Sequence, residues 1–385
     1  MELNRIREWA ALNREQVIDW RRKLHMCPEL GFQEFETSRI IQTALREMGL
    51  PFEVMDTGVI AEIEPFEARG GRIALRADID ALPIEEAKEF SFASRNPGVM
   101  HACGHDTHTA MLLGTAKLLW EHRDVLEHPV RLIFQPAEER SGGALKMIEA
   151  GALKDVTSIY CLHVRSSRAV GRFATRSGII HASSDGFEIR VTGKGAHAAS
   201  PQNGVDAVVI ASHIVLAIQE LISREVAPSD QAVLTIGKIS GGTAGNVLCG
   251  EVRLNGTMRT LNEEVRERLI GRVAELCEGI AKALRGTAEV IFRRGCCTCL
   301  NDDACTQHAI DLAHRLFGMD SVEILREPSM GSEDFGYYQR KIPGTKLYIG
   351  TGREESIHSA SFTVNEDMLE YGVAMLAALG FEGQP

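Results

Sequence analysis

The 385-residue chain lacks a long apolar run. None approaches the roughly 18 residues of a membrane span, and the opening MELNRIREWAALNRE alternates charged with apolar residues where a secretory signal places an unbroken hydrophobic segment. Basic clusters and interleaved aromatic stripes are missing as well. With 42 basic against 53 acidic residues, a net charge of −11, the chain is a poor match for a polyanion, so no nucleic-acid partner is expected. Cysteine is not present in an even set: nine thiols in a large chain without an export signal argue against a disulfide framework and for a reducing cytoplasm. G-x-S-x-G and H-E-x-x-H are absent, which disfavours serine enzymes of the hydrolase fold and zincins. The glycine-rich ISGGTAGN lacks the GK[ST] of a phosphate loop and reads as a turn.

What is present is enough apolar residue, 44%, to fill more than one core. Single cores stop growing near about 250–300 residues, so two domains are the default. The first third alternates β-branched runs with helix-period segments, the pattern of a largely parallel α/β sheet with covered faces. Strands are predicted at Arg72–Arg76, Val130–Gln135 and Thr157–Leu162, with helices at Thr107–His122 and Gly143–Ala150. The same style returns at the end in a helix at Ala304–Phe317, a strand at Thr345–Gly350 and a helix at Asn365–Leu379. Between them, Gly186 to Arg293 reads strand, helix, strand, strand, helix, strand, the split βαβ order of a self-contained unit. It is read as an inserted domain, residues 184–293, with hinges near Ser183 and Arg294. The remaining domain then comprises residues 1–183 and 294–385.

The chemistry-bearing residues gather at strand ends. Asp78 and Asp80 follow RIALR, Glu138 and Glu139 follow VRLIFQ, His163 ends TSIYCL, and His358 lies beyond TKLYIG. Open α/β sheets bind ligands outside the carboxyl ends of their strands, so four strands bring polar groups to one edge. Cys103 and His105, in HACGHDTH, precede a helix that Asp106 could cap and whose positive end favours a thiolate. Each residue also has a plain reading: a lone Cys is usually a small buried apolar group, and a lone His is more often a satisfied core or surface group than a ligand. Glu138 and Glu139 could form a solvated helix start, and the aspartates could simply end a strand.

RRKLHMCPELGFQE, RADIDALPIEE, HACGHDTHTAML, RLIFQPAEE, GKGAHAASP, GGTAGNVLCGEVRLNGTMRT, GSEDF and IHSASF occur in this order. Together they resemble the amidohydrolase branch of the co-catalytic metallopeptidase family that contains aminoacylases and carboxypeptidases. The resemblance implies an α/β catalytic domain with a mostly parallel central sheet flanked by helices. That domain holds two divalent metal ions and is interrupted by a βαββαβ ferredoxin-like lid that often pairs two subunits. Position by position, it implies Cys103, His105, Glu139, His163 and His358 as metal ligands and Glu138 as general base. Either Asp80 or Asp78 supports the site, the latter standing where many relatives carry a metal-binding His. His197 is implied as an oxyanion donor from the lid, and Asn246 and Arg259 as grips on the substrate. A surface guanidinium is the alternative for Arg259.

The expected activity is hydrolysis of an N-acyl amino acid or similar small amide by a cytoplasmic homodimer, or dimer-based oligomer, assembled through the lid. Manganese or zinc is the expected metal, with cobalt or nickel as alternatives. Two departures from the family pattern lie near the presumed pocket: Cys249 and Ala360 stand where relatives commonly carry Pro. A non-catalytic binder of acylated amino acids on the same fold is the alternative. A weaker one is a thiol-based metal or redox protein centred on Cys296, Cys297 and Cys299.

Overall fold

The structure, a computed structural model, describes residues 1–87 and 90–383. Its larger unit comprises residues 1–180, 300–327 and 334–385. An eight-stranded sheet runs through it in the order Phe52–Met55, Gly58–Ile63, Val130–Gln135, Arg72–Asp78, Val156–Arg165, Gly344–Gly350, Phe173–Thr175 and Val322–Ile324. The central four strands, Val130–Gln135 to Gly344–Gly350, are mutually parallel. Every residue of Val130–Gln135 and of Gly344–Gly350 is buried, as required of strands covered on both faces. The covering helices include His105–Glu121 and Met368–Glu382. The latter, MLEYGVAMLAALGFE, is apolar nearly all round and correspondingly buried through Phe381.

Parallel alignment sends all four central strands toward one sheet edge, the placement expected from the sequence. Two local expectations are corrected. The predicted strand Thr157–Leu162 extends through Arg165, so His163 lies inside it and is held in register opposite Tyr348. Asp106 is not a helix cap. The helix begins at His105 after Gly104, which adopts a left-handed φ of 78°. A Cβ at Gly104 would stand 2.7 Å from Val164 Cγ2, so the turn requires glycine on both counts. Asp106, already inside the helix, instead accepts hydrogen bonds from Arg21 Nε at 2.8 Å and His25 Nδ1 at 2.9 Å. Arg21 and His25 outweigh burial and hold the Asp106 carboxyl far below the usual carboxylate range.

The second unit comprises residues 181–299 and 328–333. Its antiparallel sheet runs Thr287–Arg294, Asp185–Thr192, Glu251–Thr260, Ala232–Gly241. Helices Ala207–Glu225 and Glu263–Ala283 complete the strand-helix-strand-strand-helix-strand order. Each starts at a side-chain cap: Asp206 accepts from Val208 N–H and Val209 N–H, and Asn262 from Glu264 N–H and Val265 N–H. The strand Asp185–Thr192 alternates buried with part-exposed residues, so one face meets the helices. Arg266 grips the buried Asp185 through two 2.7 Å bonds, from Nε and Nη2.

The expectation that no run approaches span length is corrected by helix Ala207–Glu225, which is long and apolar enough to cross a membrane by length and composition. Its Ala207, Ile210, Ala211, Ile214, Ile218 and Leu221 form a buried stripe at helical spacing in this unit's core. Cys296, Cys297 and Cys299 are buried, and none forms a disulfide. Among the described residues they join no group of three metal-capable side chains.

Candidate metal centre

Six of the residues singled out from the sequence converge in the larger unit. Cys103, His105 and His163 form one group whose donor atoms all lie within 4.8 Å of one another. Cys103, Glu139 and His358 form a second, and His105, Glu138 and Glu139 a third. Cys103 is thus common to two triads, one built from two imidazoles and the other from an imidazole and a carboxylate. Such a sulfur-bridged pair of donor sets suits two neighbouring divalent cations.

The three imidazoles are each placed by a local hydrogen bond. His163 Nδ1 donates to Val164 O at 2.8 Å, which fixes the tautomer and directs Nε2 toward Cys103 Sγ, 3.6 Å away. His105 Nδ1 donates to Asp80 Oδ1 at 3.2 Å. The opposite nitrogen, Nε2, is buried with no hydrogen-bond partner. A carboxylate behind a histidine in this way orients the ring and raises its basicity toward a metal. His358 arrives on a loop pinned by its own N–H, which donates to Ala102 O at 2.8 Å, and it holds a left-handed φ of 63°. Its Nε2 stands 3.3 Å from Glu139 Oε1, yet that oxygen has no hydrogen bond of acceptable geometry. Donors that crowd together without bonding one another are what a shared cation would satisfy.

The electrostatics agree. Burial pushes the Cys103 thiol up against the opposite pull of His105 and His358, so the helix end does not by itself produce the thiolate expected from the sequence. The Cys103 and Glu139 side chains raise His358 to about 10. Burial disfavours a charged His105, but Asp78, Cys103 and Asp80 outweigh it and hold the ring well above its ordinary value. Without a metal, the surrounding carboxylates favour positive charge on the His105 and His358 rings. Divalent cations supply that charge and release the protons.

The two aspartates divide. Asp80 accepts from Glu138 N–H through Oδ1 and from Glu139 N–H through Oδ2, both at 3.1 Å, besides holding His105. Asp78 instead pairs with Arg76 Nη1 at 2.6 Å and His108 Nδ1 at 2.5 Å. His108 stands close enough to group with Asp78 and His105, but its Nε2 accepts from Val164 N–H at 2.9 Å. Both of its nitrogens are therefore occupied, and it has no lone pair for a metal.

His197, Asn246 and Arg259 belong to the second unit. His197 and Asn246 are exposed neighbours, joined by Ala198 N–H donating to Asn246 O at 3.0 Å. Arg259 Nη1 donates to Met330 O at 3.2 Å.

The sequence reading passed over His108 and Glu34. His108 had a signal in its place within HACGHDTH. Glu34 had one as the last residue of RRKLHMCPELGFQE, whose Glu34 Oε1 accepts from Ala137 N–H, beside the two site glutamates.

Residues 74–381 match the profile of peptidase family M20/M25/M40. An N-acetyl-L-cysteine deacetylase of Bacillus subtilis (strain 168) is 42% identical over 355 residues, covering 91% of this chain and 84% of its own. An IAA-amino acid hydrolase of Arabidopsis thaliana is 39% identical over 381 residues, covering 95% and 86%. The crystal structure of a dinuclear metal-binding peptidase of the M20 family from Bacillus subtilis superposes with a TM-score of 0.84 at 37% identity, over 97% of this chain and 99% of that one.

Proposed function

The chain belongs to peptidase family M20/M25/M40, and from that premise we propose a metal-dependent amidohydrolase that cleaves N-acyl amino acids to a carboxylic acid and a free amino acid. The observation that carries this reading is the pair of donor triads sharing Cys103, with the Glu138 carboxylate beside them. The substrate class is supported by the relatives, one named for deacetylating N-acetyl-L-cysteine and one for hydrolysing IAA-amino acids.

An amide resists hydrolysis because water is a weak nucleophile and the tetrahedral oxyanion is costly. Bound divalent cations would acidify a water and polarise the carbonyl. Cys103, His105, Glu139, His163 and His358 would hold them. Asp80 holds the His105 ring and the backbone of Glu138 and Glu139 in place. Glu138 takes the proton of the attacking water and passes it to the leaving nitrogen, which would otherwise depart as an unstable anion. His197 is proposed as the oxyanion donor. Its Nδ1 accepts from Ala199 N–H at 3.1 Å, so the neutral ring carries its proton on Nε2. Asn246 and Arg259 are proposed to grip the substrate carboxylate or carbonyl.

A thiolate with imidazoles suits zinc, whereas a carboxylate-rich two-metal site also takes manganese, cobalt or nickel. We propose manganese or zinc. The test is a panel of N-acyl amino acids offered to protein reconstituted with each metal in turn, followed by release of the free amino acid. Turnover of at least one member with manganese or zinc is expected. Failure of every member at full metal loading would refute the assignment.

We further propose that the chain forms a homodimer through its second unit. Val208, Val209 and Leu216 on helix Ala207–Glu225 and Ile239 on the edge strand Ala232–Gly241 are exposed, Leu216 by 73%. An apolar helix face beside an open strand edge is a surface that a second copy can cover. In sedimentation velocity, wild type should run as a dimer and Leu216→Asp as a monomer. A monomeric wild type, or an unchanged variant, removes this surface as the interface.

A further inference from the structure

The turn that presents Glu138 is anchored from behind by a residue with no assigned role. Glu34 is fully buried. Its Oε1 accepts from Ala137 N–H at 2.8 Å and its Oε2 from Thr57 Oγ1 at 2.7 Å. Glu34 immediately precedes helix Phe35–Met48 but makes no side-chain bond to that helix. Glu29 performs the capping instead, accepting from Glu36 N–H at 3.1 Å and Thr37 N–H at 2.9 Å. The Glu34 carboxylate is thereby left to point inward, where a buried carboxylate is costly unless its oxygens are bonded.

Ala137 is buried and holds a left-handed φ of 51°, a conformation that a residue with a Cβ adopts only against its local preference. Gly31, in the same PELGFQE motif as Glu34, makes room for it: a Cβ at Gly31 would lie 3.0 Å from both Cα and Cβ of Ala137. Glu138 N–H and Glu139 N–H then pass to the two oxygens of Asp80. Three successive backbone N–H groups are thus taken by two buried carboxylates. The first bond restrains the residue whose backbone angles set the direction of the Glu138 side chain.

We propose that Glu34 is a positioning residue for catalysis, holding Ala137 in its left-handed conformation so that Glu138 meets the attacking water. This assignment rests on the reading of Glu138 as general base. Without the Glu34 oxygen, the Ala137 peptide is buried and unsatisfied, and rotation toward another acceptor carries Glu138 with it. A displacement of roughly 1 Å at a reacting group lowers turnover on the order of 10²-fold.

The test compares Glu34→Gln, Glu34→Asp, Thr57→Val and Glu138→Gln, with kcat and KM taken per folded, metal-loaded chain. Thermal midpoint and metal content are measured in parallel. Gln keeps an oxygen at the same reach and should remain within about threefold of wild-type kcat. Asp is one methylene short and should lose on the order of 10²-fold in kcat with KM and metal content unchanged. Thr57→Val, close to isosteric and safer for the fold, frees one carboxylate oxygen and should lower kcat on the order of tenfold, the scale of one hydrogen bond to a charged group. Wild-type kcat in either folded Asp or Val variant, a Gln variant as impaired as Asp, or losses that merely follow metal content would each overturn the assignment. Full activity of Glu138→Gln would instead remove the base and the Glu34 role with it. An inactive Glu138→Gln beside an active Glu34→Asp removes the Glu34 role alone.

Discussion

Glu138→Gln should leave a folded protein with its full complement of metal and reduce turnover by at least the 10²- to 10⁴-fold that a positioned acid-base group typically contributes. The substitution keeps the size of the side chain and removes only its ability to take a proton. The fold should tolerate it, because the Glu138 N–H remains bonded to Asp80. Metal analysis beside steady-state kinetics separates the possible roles. Glu138 lies within 4.8 Å of His105 and Glu139 donors, so loss of metal together with activity would make it a ligand and not the base. Undiminished turnover would take it out of the mechanism. A non-catalytic binder on this fold would retain acylated amino acids without forming product, and its function would be indifferent to the change.

Cys103→Ala should have an equally large effect by a different route. Because the sulfur belongs to both triads, its removal weakens two sites at once, whereas His163→Ala or His358→Ala takes a donor from one. Metal content is expected to fall from about two ions per chain to near zero in Cys103→Ala and to about one in either histidine variant, with proton release on reloading reduced in step. The comparison is made by elemental analysis after dialysis against a weak chelator. Retention of one tightly held ion in Cys103→Ala would mean that the sulfur serves a single site and does not bridge.

The gathering of polar residues at one sheet edge was legible because they follow strongly patterned segments, while their roles as ligands came from the family resemblance. VRLIFQ and TKLYIG are short, mostly apolar runs of strand length, and parallel strands deliver the residues at their carboxyl ends to a common edge. The choice between Asp78 and Asp80 was not legible. Both come from the end of the same strand, two positions apart, and only the packing decides which one meets the backbone of Glu138 and Glu139 and which one meets Arg76 and His108. Asp106 misled for a related reason. An acidic residue at the start of a helix pattern reads as a cap, but Arg21 and His25, some 80 positions away in sequence, claim its carboxylate. Glu34 was hidden in a motif whose family resemblance was plain and whose physical task was not, since its partner Ala137 contributes only a backbone N–H.

By itself, then, the order of apolar runs and helix periods determined the α/β architecture and the βαββαβ order of the second sheet unit, and it placed candidate metal-capable side chains at strand ends. These are properties of periodicity and residue type, which act locally along the chain. Tertiary structure alone decided which histidine keeps a lone pair, which aspartate braces the glutamates, and that one sulfur is shared by two donor sets. Those outcomes depend on which hydrogen bonds each buried group finds among residues distant in sequence, and no local pattern carries that information.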